Sequence, residues 1–305
     1  MATHTPETSV DLAALLPSWK LALDADRKSK QTVDAYTTGV RLFLRWCDEH
    51  GHTPVLDRTT VRTWVKALLD GGAAPATART RQMAVKRFSA WLLEEDETDV
   101  DLILNLKPPQ LDVKVVEGLD DEQCAALVRS CQGKAFVDRR DEAVVRLMLE
   151  TGLRAGEVLG LTVEGVDVAR GLAVVERGKG GKGRIVPFGP EVARSLDRYL
   201  RMRRSHRLAH TSALWLGGGG QQFRYHGLDV AMKARAQAAG ITGFHLHLLR
   251  NTAARRWLAA GGSEGGLMSV AGWATRAMLD RYVRASASDR AAAESRNLNL
   301  GDLGV

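Results

Sequence analysis

Apolar residues recur every three or four positions through most of the first hundred residues, the spacing of helices with one buried face. Leu12 to Arg27 and Thr32 to His50 carry this pattern, the second with Val33, Tyr36, Val40, Phe43 and Leu44. Thr60 to Leu69 continues it, Gly71-Gly72 interrupts it, and Thr77 to Leu93 resumes it. The acidic run Glu94-Glu95-Asp96-Glu97 and the later Lys107-Pro108-Pro109-Gln110 have no such stripe, and paired prolines favour extended backbone, so a linker is expected at residues 105–117. Beyond it, Asp120 to Ser130 and Arg140 to Glu150 read as helices. Gly171-Leu-Ala-Val-Val and Gly183-Arg-Ile-Val-Pro read as two short strands around a glycine-rich turn. The expected fold is mainly α with a small β-hairpin in the second half, and Gly217 to Gly220 forms a loop.

A length of 305 residues suits two domains of roughly 100–200 residues each. No apolar run approaches the ~18 residues of a membrane span, and the opening Met-Ala-Thr-His-Thr-Pro-Glu is no secretory signal, so a cytoplasmic setting is expected. Cys47, Cys124 and Cys131 show no paired C-x-x-C spacing and are read as packing residues. The formal charge of +7 is unevenly placed: residues 1–110 hold 14 Lys+Arg against 15 Asp+Glu, and residues 111–305 hold 29 against 21. Such a surplus suits a polyanion.

Four short segments carry candidate chemistry. In Thr151-Gly-Leu-Arg-Ala-Gly-Glu157, Gly152 can cap one helix before the next begins, and Glu157 follows Arg154 at a spacing that lets it orient the guanidinium. An ordinary surface ion pair has the same spacing. Gly178-Lys-Gly-Gly-Lys-Gly-Arg184 places Lys179, Lys182 and Arg184 on a turn open enough for a phosphate. It lacks the hydroxyl residue and following helix of a Walker loop, and a solvated basic hairpin reads the same way. His247 and Arg250 stand three apart and share a helical face; His245 and His247 lack the neighbours of a metal site, so none is expected. Finally, Gly272-Trp273 ends one helix, and a new one beginning near Thr275 carries Tyr282, whose bland alternative is a core tyrosine.

The order and spacing of these segments resemble the tyrosine recombinases, the family of phage integrases, Xer proteins and Cre. The resemblance spans residues 151–282, and the helical N-terminal region resembles that family's core-binding domain more loosely. It implies a two-domain architecture: a helical core-type DNA-binding domain at 1–104, the linker, an α+β catalytic domain at 118–286, and a C-terminal tail at 287–305. It assigns catalytic roles to Arg154, Lys179 (favoured over Lys182), His247, Arg250, Trp273 and Tyr282, with Glu157 in support. Two positions depart from the family pattern. Asn251 replaces the histidine that commonly follows the second arginine, and Trp273 stands where most members have histidine.

The implied reaction is in-line attack of Tyr282 on a backbone phosphate, giving a 3′-phosphotyrosine. Arg154 and Arg250 hold the phosphate, Lys179 protonates the leaving 5′-oxygen, and His247 assists proton transfer at the tyrosine. Neither metal nor other cofactor is required. Arg79, Arg81, Lys86 and Arg87 on one helix, with Lys182 and Arg184 in the turn, are expected to contact DNA. The implied partners are duplex DNA with inverted core sites and three further protomers of a tetramer on two sites. An accessory DNA-bending or directionality factor fits the same scheme. Rival readings are a type IB topoisomerase and a catalytically silent DNA-binding protein.

Overall fold

In the N-terminal part, α1 (Leu16–Ala25), α2 (Lys30–Glu49), α3 (Arg58–Asp70) and α4 (Pro75–Glu94) follow the predicted apolar stripes. Local chemistry sets where they begin. Ser29 accepts the Thr32 N–H, Asp57 accepts the Thr60 N–H, and proline occupies the first turn of α1 and α4. The computed structural model describes residues 11–111, 118–176, 183–280 and 282–283. The chain divides into two compact units, residues 1–114 and 115–305.

The first unit is built on the crossing of α2 and α4. A Cβ at Gly39 would lie 2.5 Å from Ala84 Cβ, so the helices meet where one of them has no side chain. Trp19 packs on Phe88 with ring centroids 5.0 Å apart, and Phe43 on Trp64 at 5.2 Å. After α4, buried Asp101 accepts the Ser89 hydroxyl at 2.7 Å and the Ile103 N–H at 3.0 Å, which returns Ile103 and Leu106 to this core.

The second unit contains α5 (Asp121–Ser130), α6 (Phe136–Thr151), α7 (Ala155–Leu159), β1 (Val166–Asp167), β2 (Leu172–Val175), β3 (Arg184–Pro187), α8 (Pro190–Arg203), α9 (Tyr225–Ala238), α10 (Leu246–Ala259) and α11 (Glu264–Ala271). Residues 276–280 and 282–283 are also helical. The expected hairpin is part of a three-stranded antiparallel sheet in the order β1-β2-β3. Its added strand is two residues long, too short to leave an alternating pattern. Ala173 pairs with Val186 on the buried face, while Val174 pairs with Ile185 on the exposed one. α6 packs against both α8 and α10, and it starts four residues before the predicted Arg140 because Asp138 accepts the Ala135 N–H at 3.1 Å.

α6 also buries charge. Arg140 donates twice to Asp141 and once to the Leu216 carbonyl, and Arg235 of α9 donates to Asp138, Asp141 and the Ser130 carbonyl. Each buried ion therefore has partners, as burial requires. Among the described residues no helix is long and apolar enough to cross a membrane. No three His, Cys, Asp or Glu side chains are grouped to hold a metal ion there either. The expected catalytic lysine, Lys179, lies outside the described residues with Lys182, as do 112–117 of the expected linker and the tail 287–305.

Candidate active site

Three ends of helices converge to make the site. α6 ends at Thr151 with Gly152 in the left-handed conformation (φ 62°), and α7 begins directly after Arg154. The turn throws Arg154 to the rim, while Glu157, one turn into α7, is buried. α10 brings Arg250, 2% exposed, toward the same turn, and α11 ends at Gly272 (φ 63°), which presents Trp273.

The last turn of a helix leaves carbonyls with no partner in the helix, at the negative end of its dipole. Here three arginines take them. Arg184 Nε donates to Val270 O at 3.0 Å, Arg250 Nη2 to Ala271 O at 2.8 Å, and Arg154 Nη2 to Gly272 O at 3.2 Å. Arg250 Nη1 also donates to Gly152 O at 2.6 Å, joining the two turns. Burial and the nearby Arg154 lower the Arg250 pKa to about 10, which leaves it charged at neutral pH.

Glu157 balances this charge. Its Oε1 accepts from Arg154 Nη1 at 2.8 Å and Arg184 Nη1 at 3.0 Å; its Oε2 accepts from the Arg154 N–H at 2.9 Å and Arg184 Nη2 at 2.9 Å. Burial alone would raise the carboxyl pKa. The bonds from Arg184 and Arg154 outweigh it and hold the group below the ordinary carboxylate range.

Trp273 stacks on Tyr282 with centroids 4.9 Å apart and planes 17° from parallel, and the Arg250 guanidinium lies 5.3 Å from the Trp273 ring centre. Tyr282 is 6% exposed and donates its hydroxyl to Asn251 Oδ1 at 2.8 Å. Both positions that depart from the family pattern therefore touch the tyrosine. His247 is exposed on the first turn of α10, one turn before Arg250.

Arg154, Glu157, Arg250, Trp273 and Tyr282 thus come together, though 128 positions separate the first from the last. The chain belongs to the phage integrase family of tyrosine recombinases. The phage integrase family model matches residues 117–289, and the phage integrase N-terminal SAM-like domain matches residues 16–96. The chain is 31% identical to tyrosine recombinase XerD of Ralstonia nicotianae, over 71% of each chain. It is 28% identical to tyrosine recombinase XerC of Pseudomonas aeruginosa, over 86% of this chain and 89% of that one. Two solved structures share the fold. XerH recombinase in a post-cleavage complex gives a TM-score of 0.72 at 18% identity over 93% of this chain and 84% of that one. A lambda integrase tetramer on a Holliday junction gives 0.69 at 14% identity, over 92% and 81%.

The basic residues expected to contact DNA are placed differently from one another. At 100° per residue along α4, Arg79, Lys86 and Arg87 lie within one arc, with Lys86 next to buried Gln82. Arg81 falls on the opposite side, lining a shallow recess against α2 with Asp34 and Gly39. Lys86 donates to the Leu106 carbonyl at 3.0 Å. Arg184 turns all three of its guanidinium nitrogens inward. Sequence reasoning missed that inward role, and it missed the carbonyls at the end of α11, because a backbone acceptor has no residue-type signature; the glycine at 272 was the nearest signal.

Proposed function

We propose that this recombinase cuts and rejoins DNA at specific sites through a 3′-phosphotyrosyl link to Tyr282. Arg154 and Arg250 hold the scissile phosphate, Trp273 supports it, and His247 assists proton transfer at the phenol. Lys179 protonates the leaving 5′-oxygen. The observation that supports this reading best is the convergence of two guanidiniums and a tyrosine on the single turn that ends α11.

The chemistry follows from the groups. A phenol with a free pKa near ~10 is a weak nucleophile at neutral pH, so its attack depends on a field of fixed positive charge at the phosphate. Arginine supplies a permanent charge and a planar fork that can meet two phosphate oxygens. In this structure those forks hold carbonyl oxygens of Gly152, Ala271 and Gly272, which carry partial negative charges. Binding of a phosphate between them exchanges weak acceptors for a strong one. The Tyr282 hydroxyl likewise leaves Asn251 when it attacks.

The substrate we propose is duplex DNA with inverted core sites, engaged by the basic arc of α4 and by the β2–β3 turn. A tetramer on two sites would perform the exchange, as the Holliday-junction complex of lambda integrase suggests. The deciding experiment mixes wild type and Tyr282→Phe with labelled duplexes carrying nicked candidate sites and looks for a denaturation-resistant adduct. We expect it in wild type alone. An adduct that persists in Tyr282→Phe removes the nucleophile assignment, and binding without any adduct favours a silent DNA-binding protein.

A further inference from the structure

Arg184 is the first residue of β3, two positions after Lys182 in the sequence. Its side chain is 15% exposed and donates its three nitrogens to two different elements. Two parallel bonds grip both oxygens of Glu157, and the third holds the Val270 carbonyl in the last turn of α11. A planar fork with five N–H groups presents two parallel donors to a carboxylate and a third to one side; an ammonium group has three donors but not that plane. The glycine at 272 belongs to the same arrangement, since a Cβ there would sit 2.7 Å from Arg184 Cζ.

Glu157 is the shared partner. Without Arg184 its carboxylate would face Arg154 alone, buried, with half of its bonds lost. Arg154, which already gives Glu157 one guanidinium nitrogen, would then turn its second one from Gly272 O to the freed carboxylate oxygen, away from the rim where a phosphate binds. With Arg184 in place, the carboxylate is satisfied on both oxygens and Arg154 keeps a nitrogen directed at Gly272 O. The same residue thereby joins the segment holding Arg154, the start of β3 and the turn holding Trp273.

We infer that Arg184 is a positioning residue of strand cleavage: by locking Glu157 to the end of α11 it sets where Arg154 meets the phosphate. The inference rests on the recombinase reading above. It differs from a DNA-contact role for Arg184, because a ligand of the DNA backbone would contribute to affinity, whereas a residue that aims Arg154 contributes to the rate of cleavage on DNA already bound.

The test measures core-site affinity and the rate of adduct formation at saturating nicked DNA, for wild type, Arg184→Gln, Glu157→Gln and the double variant. Displacement of a reacting group by about 1 Å can cost on the order of 100-fold, and we expect a fall of that order in Arg184→Gln with affinity nearly unchanged. The double variant should be no slower than Glu157→Gln, because the two residues act through one contact. Arg184→Lys, which keeps the charge and the aliphatic stem, is measured alongside and should remain slow, and it takes over the test if Arg184→Gln does not fold. Reduced affinity with a normal rate at saturation would overturn the inference in favour of a DNA ligand. Effects that multiply in the double variant would also overturn it. Absence of adduct in wild type would instead bring down the recombinase reading itself.

Discussion

The hydroxyl of Tyr282 donates to Asn251 Oδ1 at 2.8 Å in a buried contact between residues 31 positions apart. A carboxamide oxygen accepts a hydrogen bond but does not take the proton, and Trp273 covers the ring. The proposed nucleophile is packed like a core tyrosine. That is the bland alternative its sequence context offers, and the resting geometry accommodates both roles.

This contact should appear as coupling. In a double-mutant cycle of Tyr282→Phe and Asn251→Ala, followed by urea denaturation of the DNA-free protein, we expect an interaction of about 1 kcal/mol. Strictly additive effects would show that the bond contributes nothing to the resting state.

Arg250 is 2% exposed and bonded to the ends of both α6 and α11, so its replacement should cost twice. Arg250→Lys is expected to lower stability by about 1–3 kcal/mol through unmet buried carbonyls. It should also slow adduct formation by on the order of 100-fold or more, the usual cost of losing one fixed donor at a developing charge. Denaturation and single-turnover cleavage on nicked DNA measure the two separately, and near-wild-type cleavage would exclude Arg250 from the phosphate clamp.

Gly272→Ala should be poorly tolerated, because the residue has φ 63° and its new methyl group would press on Arg184 Cζ. The left-handed backbone alone costs roughly 1–2 kcal/mol for a residue with a side chain. A melting temperature equal to wild type would mean that the turn relaxes freely, and would weaken the case for a rigid end to α11.

Glu157 carries a pH signature. Its folded pKa lies below the ordinary 4.5, so it contributes stability in full above that value and loses it as pH falls from there through the lowered pKa. The stability difference between wild type and Glu157→Gln should therefore be level from about pH 7 to about pH 5.5 and shrink by about pH 4. A difference that grows on acidification would contradict the ion pairs seen here.

Burial holds the thiols of Cys47 and Cys131 up to about 11 and about 12, and raises that of Cys124 as well. Because the thiolate is the reactive form, native protein near pH 8 should be alkylated slowly by iodoacetamide, and denatured protein rapidly at all three positions. Fast native labelling would show that these cysteines are more than packing residues.

Much of this protein was legible in its residue pattern. The stripes of α2 and α4 specify helices because burying one face is what stabilises them, and glycines at 152 and 272 mark helix ends because only glycine adopts the left-handed turn without strain. The order of the Arg154, Lys179, His247–Arg250 and Gly272–Tyr282 segments was enough to suggest the family. Tertiary structure decided the partners. Nothing local links Arg184 to Glu157, 27 residues away, or to Val270, 86 residues away; that contact exists because β3 and α7 close around the end of α11. Likewise, membership of one helix grouped Arg79, Arg81, Lys86 and Arg87, while the 100° step of the helix and the packing of α2 turned Arg81 away from the others. Residue type and spacing determine what a segment can form and what chemistry it can offer. Which acceptor a long, flexible guanidinium takes is settled by the carbonyls and carboxylates that folding brings within about 3 Å of it.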